Sequence, residues 1–174
     1  MSGSRFEDAL EHSFKRMEES AVFINWKKEN REAYLAHAFN MVEGKKQSGW
    51  QFGYYIKSKD RVVTFFVEDV VKKSPESEIF KKDEKAVKKL ELSKVKVGAD
   101  RALELASGLQ KEKYKGHEPQ KEVVLLQTID AGQVWNITFV TRTFDTLNIK
   151  ICAESGEVKS DNLTSLFSFG TKNV

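Results

Sequence analysis

The groups that could do chemistry in this chain are few and scattered: His12, His37, His117 and a single cysteine, Cys152. There is no HExxH, no CxxC pair, no phosphate-cradling GxxxxGK[ST] loop and no GxGxxG, and the glycines fall at turns and helix ends. No metal, nucleotide or other cofactor is therefore expected, and no catalytic residue. His37 is the histidine with most company, in Leu35-Ala36-His37-Ala38-Phe39. With Trp26, Tyr34, Trp50 and Tyr55 it outlines a candidate ligand pocket with an aromatic lining, between leading helices and a first hairpin. The plainer expectation is a histidine satisfied at a helix–sheet seam. Cys152 lies within an apolar alternating stretch and reads as a strand residue rather than a nucleophile, with no second cysteine to pair with.

Aromatic residues also crowd Trp50, Phe52, Tyr54, Tyr55, Phe65 and Phe66, a series that would suit a core or a stacking platform for single-stranded nucleic acid. Basic residues are scarce in that stretch, and the 174-residue chain carries a formal net charge of only +3. Core packing is the expectation and nucleic acid is disfavoured as a partner. The lysines at 81, 82, 85, 88 and 89 are interleaved with Asp83, Glu84 and Glu91, as on a solvated face. The amino terminus lacks the apolar core of a signal peptide, no stretch is long and apolar enough for a membrane span, and one cysteine suits a reducing compartment. A cytoplasmic protein is expected.

The elements that must position these residues are clearest between Trp135 and Lys159. Trp135, Ile137, Phe139 and Thr141 alternate with Asn136, Thr138, Val140 and Arg142, and Leu147, Ile149, Ile151 and Ala153 alternate with polar neighbours. A period of two on both sides of residues 143–145 predicts an antiparallel hairpin, with a further reversal at Gly156 and a third strand from Val158. The same pattern recurs 85 residues earlier. Without a gap, Trp50 falls on Trp135, Phe52 on Ile137, Tyr54 on Phe139, Asp60 on Asp145 and Val62 on Leu147. A tandem duplication is expected on that ground; two unrelated hairpins in one mixed domain are the alternative.

Elsewhere the pattern predicts a first helix over 5–20, with Ser4 and Glu7 as a capping box. Residues 21–26 read as a short strand or a continuation of that helix. Asn30 is placed as the N-cap of a second helix running to Val42. The first hairpin is expected over 50–57 and 61–68, an edge strand at Val70-Val71, a short helix over 83–90 and a clear helix over 99–109. Residues 123–129 are expected as a strand, and Leu163, Leu166, Phe167 and Phe169 as a tail packing back. The fold class is α+β: two similar units, each an antiparallel sheet of about four strands packed against a helix, with an extra N-terminal helix. Their boundaries are 1–75, a lysine-rich connection over 76–97, and 98–174.

The helix VGADRALELA, the strands after it and the Ser155-Gly156-Glu157-Val158 signature resemble the PepSY domain, over roughly 94–159. The first unit departs from that pattern, with Glu68-Asp69-Val70-Val71 in place of the Gly-Glu turn. The resemblance implies a non-catalytic module that binds a polypeptide and restrains a peptidase. Ser155, Gly156, Glu157 and Val158 then mark the mouth of a partner-binding strand edge. The alternatives are a small-ligand binder or an unrecognised enzyme built on the aromatic pocket around His37, and a structural subunit that self-associates as a homo-oligomer.

Overall fold

The structure is a computed structural model of the chain that describes residues 6, 9–79 and 86–165. Its core is one antiparallel sheet of ten strands, with three α-helices packed on one face. α1 (Leu10–Glu19) and α2 (Ala21–Glu29) are separated at Ser20, whose extended backbone breaks the helical path. The Ser20 hydroxyl accepts from the amide of Phe23 at 3.2 Å, capping α2, and donates to the carbonyl of Met17 at 2.6 Å. One serine thus ends a helix and starts the next, which settles residues 21–26 as helix. The Ser4–Glu7 capping box lies outside the described residues.

Asn30 does the opposite of what its type and place predicted. It closes α2, its side-chain amide donating to the Trp26 carbonyl at 2.9 Å, and the chain continues as β1 (Tyr34–Glu43), not as a helix. The spacing of Tyr34, Leu35, Ala38, Met41 and Val42 imitates a helical face for two physical reasons. A bulge between Leu35 and His37 inserts Ala36 and shifts the period of two, and β1 is paired on both sides and half-buried on its outer face.

From β1 the chain makes the short β2 (Lys46–Gln47), then the hairpin β3 (Trp50–Ile56) and β4 (Arg61–Val67), with β5 (Val71–Lys73) and β6 (Ser77–Glu78) both pairing on β4. After a 3-10 turn at Leu92–Lys94 comes α3 (Ala99–Lys113). A meander then follows: β7 (Pro119–Ile129), β8 (Gly132–Thr141), β9 (Asp145–Cys152) and β10 (Val158–Ser165). The order across the sheet is β10-β9-β8-β7-β1-β3-β4-β5. The expected four-stranded sheets are therefore parts of a single sheet, joined where β1 lies antiparallel to β7. Ala86 to Leu90 is not helical, and residues 83–85 of the predicted short helix lie outside the described residues, as do Leu166, Phe167 and Phe169 of the predicted tail.

The helix-covered face holds one apolar cluster drawn from the whole sheet, including Phe52, Phe65, Ile137, Phe139, Leu147 and Ile149, all fully buried. Trp50 and Trp135 meet near its middle, ring centroids 6.3 Å apart, and Trp135 Nε1 donates to the Val97 carbonyl at 2.7 Å. α3 offers Ala99, Ala102 and Ala106 to this face, small residues that let it lie close. On the opposite face a smaller cluster joins Ala36, Tyr55 and Val62 with Tyr34, Ile79 and Val87. The connection beyond Val87 is strapped to the sheet: the Leu90 amide donates to the Leu35 carbonyl at 2.8 Å, and Gln133 exchanges two hydrogen bonds with the backbone of Glu91. Leu90 enters the main core at 2 % exposure.

Candidate functional site

The aromatic pocket expected around His37 is divided by the sheet. Trp26 packs at 5.7 Å on Tyr54 and at 5.1 Å on Phe65, and Trp50 on Trp135, all on the helix-covered face. Tyr34 and Tyr55 meet at 5.6 Å in the cluster on the other face. His37 pairs with Gly53 in the ladder, and its ring lies over that glycine: a Cβ at residue 53 would stand 2.1 Å from the imidazole Cε1. Burial pushes the His37 pKa below its ordinary 6.5. A neutral imidazole filling the space above a glycine is a packing element, and Tyr34 likewise spends its hydroxyl on the Val87 carbonyl at 2.6 Å. The five residues were expected together because the segment from Asn30 to Val42 was read as a helix packed on the hairpin; as β1, inside the sheet, it sends its side chains to both faces.

The residues of the expected strand-edge site do share one place. Gly156 sits at φ +80° in the reversal between β9 and β10, a conformation that favours glycine. Its amide donates to the Cys152 carbonyl at 2.9 Å, and the Cys152 amide to the Glu157 carbonyl at 2.8 Å. The Ser155 hydroxyl accepts from the Glu157 amide at 3.2 Å. The same hydroxyl, by hydrogen bonding the thiol, holds Cys152 below the usual thiol range. Val158 then opens β10, 38 % exposed, paired with Ile151.

β10 pairs only with β9, so its outer side is a free edge among the described residues. It is eight residues long and anchored from the helix face. Lys113 at the end of α3 donates to Asp161 at 2.6 Å, and the Tyr114 hydroxyl donates to the same carboxylate. These two donors hold Asp161 below the usual carboxylate range, the lysine first. The opposite edge is different in kind: β5 is three residues long, carries Lys72 and Lys73, and is followed by Pro75, the devices that blunt an edge against pairing.

His117 Nδ1–H donates to the Asp145 carboxylate at 3.1 Å, across the start of β9, a bond that fastens the loop after α3. Among the described residues no cluster of three or more His, Cys, Asp or Glu has metal-binding geometry, and no helix is long and apolar enough to cross a membrane. One buried polar atom stands out. Asn40, 1 % exposed on the helix-covered face of β1, has no hydrogen-bond partner for its Oδ1 among the described residues and borders a cavity of about 290 Å³ beside Ser13, Arg16 and Trp50. Sequence reasoning missed it, since a single Asn inside a misassigned helix gives no signal.

No family model matches the chain, and no curated protein matches it either. Among solved structures it is similar to a protein from Clostridium difficile 630 described as a "putative lipoprotein", with a TM-score of 0.54 and 13 % sequence identity over 82 % of this chain and 90 % of that one. At that identity the likeness is one of fold alone.

Proposed function

We propose that the chain is a non-catalytic module that binds a polypeptide by adding a strand to the outer edge of β10. The observation that carries this is the contrast between the two sheet edges: one short and lysine-blunted, the other eight residues long, unpaired on its outer side among the described residues and braced by α3. An edge of this kind supplies a row of backbone donors and acceptors, and alternate side chains give selectivity. Ser155 to Val158 stand at its entrance. The resemblance to the PepSY domain makes a peptidase the first partner to try, with restraint of that peptidase as the role. The single cysteine keeps a cytoplasmic location as part of the proposal.

The same proposal includes descent from two copies of one α+β unit. Strand order supports it, since β1-β3-β4-β5 and β7-β8-β9-β10 run outward from the central seam in matching sequence. Across that seam Ala38 pairs with Leu126 and Asn40 with Val124, so exchanging Ala38 with Val124 and Asn40 with Leu126 restores the pairing. The 85-residue match needs one correction. Tyr54 faces Val63 and Phe139 faces Leu147, so Val63, not Val62, occupies the position of Leu147. The second turn is one residue shorter than the first, and the positive-φ residues Asp60 and Phe144 fall 84 apart accordingly.

The test is a peptide selected against the full chain from a random display library. Proline is placed at Asn162 and, in a separate variant, at Leu163, past the irregularity between Val158 and Ser160; neighbours there alternate in N–H direction, so one substitution spares the ladder to β9. Loss of about tenfold or more in affinity in the variant that stays folded supports the edge. Unchanged affinity in folded variants of both kinds rejects it.

A further inference from the structure

A second site, away from β10, lies where the end of α2, the start of β1 and the strap at residues 89–92 meet. The cavity there is about 500 Å³, within the range of small-molecule pockets. Its walls are of two kinds. Phe14, Leu35, Leu90 and Leu92 supply an apolar end, with Leu35 and Leu90 themselves in the core. Lys27, Arg31 and Lys89 supply a cationic end.

Among the described residues the cations outnumber the acids that act on them: Glu32 acts on Lys27 and Glu91 on Lys89, against Lys27, Arg31 and Lys89 in the lining. Lys27 is pinned in place by the backbone, its ammonium donating to the carbonyls of Asn30, Arg31 and Ala33 at 3.3, 2.7 and 2.7 Å. Burial lowers its pKa, Glu32 raises it and Lys89 lowers it again, so the two ammonium groups feel one another. Arg31 and Lys89 have no ion-pair partner among the described residues. The one acid in the lining, Glu32, is held by the Ser58 hydroxyl at 2.8 Å, toward the β3–β4 turn. At the other end, Tyr54 is 5 % exposed and its hydroxyl has no hydrogen-bond partner among the described residues. Burial, and after it the Glu18 carboxylate on α1, disfavour ionisation of that phenol. An anionic head is therefore attracted to the Arg31–Lys89 end.

We infer that this cleft binds a small amphiphilic carboxylate, of the medium-chain fatty acid type. Its head lies between Arg31 and Lys89 under the fixed charge of Lys27, and its chain against Phe14, Leu35, Leu90 and Leu92. Charge-assisted hydrogen bonds from two free donors set the orientation, and the apolar wall selects a hydrocarbon body over a bare anion.

The experiment titrates the full chain with decanoate below its micellar range, by calorimetry and backbone NMR, alongside decanol, decyltrimethylammonium and acetate. Saturable decanoate binding is expected, with shifts at Leu35, Leu90 and Leu92 and none along β10, so that failure here leaves the strand-edge reading standing. Decanol, decyltrimethylammonium and acetate should each bind about tenfold or more weakly. The Arg31→Gln/Lys89→Gln double variant, altered only at exposed side chains, should keep its melting temperature and lose about tenfold in decanoate affinity. Equal binding of decanol, unchanged affinity in the double variant, shifts elsewhere, or no saturable binding overturns the assignment.

Discussion

Two side chains make the residue scale testable. Asn40 occupies a buried position whose counterpart by the seam pairing is Leu126, and its Oδ1 has no partner. An unsatisfied buried acceptor costs about 1–3 kcal/mol, so Asn40→Leu, similar in volume, should raise the free energy of unfolding by about 1–2 kcal/mol in denaturant titration. A fall instead would mean that the amide is satisfied in solution. His37 and Gly53 form the second test. Gly53→Ala drives a methyl into the imidazole and should cost about 1–3 kcal/mol, and most of that cost should vanish in a His37→Ala background, a coupling read by a double-mutant cycle. The histidine also carries a pH signature. Its folded pKa is depressed, so the unfolded chain binds the proton more readily and stability falls as pH drops below about 6.5. The wild type should lose stability relative to His37→Gln on going from pH 7.5 toward 5.5; parallel curves would show that the ring is not desolvated. A structural place for His37 was the plainer expectation, but neither its Gly53 partner nor the burial of Asn40 was legible, because a lone His or Asn in a sequence does not say which face of which element it takes.

At the scale of elements, the second half and the first hairpin were legible, and β1 was not. The alternation in β8 and β9 is clean because one face of each is fully buried and the other half-open, so the period of two survives in the sequence. β1 hid its identity behind a bulge and a second covered face, and Asn30, a good cap at either end of a helix, was assigned to the wrong one. Gly156 was placed correctly as the pivot before β10 because positive φ leaves few substitutes. Gly156→Ala should therefore destabilise the fold by about 1 kcal/mol, measured by thermal or chemical melting. A neutral effect would show that the reversal relaxes to another geometry. The Asp161 anchor was not foreseeable, since Lys113 and Tyr114 lie nearly fifty residues away and meet it only through the sheet.

For the molecule as a whole, the internal echo led to the right hairpins but not to their union. Nothing in the pattern states that β1 and β7 pair, because a central seam between two strands leaves no turn to read. The consequence of that seam is a single core, with Trp50 and Trp135 in contact within it. Trp135→Ala should cost about 3–5 kcal/mol, and the remaining Trp26 and Trp50 fluorescence should still unfold together with the circular dichroism signal. A sheet with one blunted edge and, among the described residues, one open edge is what the proposed recognition by backbone pairing requires. The measurement that tests this most directly is amide hydrogen exchange on the full chain, alone and with the selected peptide, at about 0.5 M salt to screen weak charge contacts. The account predicts new protection on the outward-facing amides of Val158 to Ser165 and little change elsewhere; protection that spares β10 and appears at another surface would contradict it.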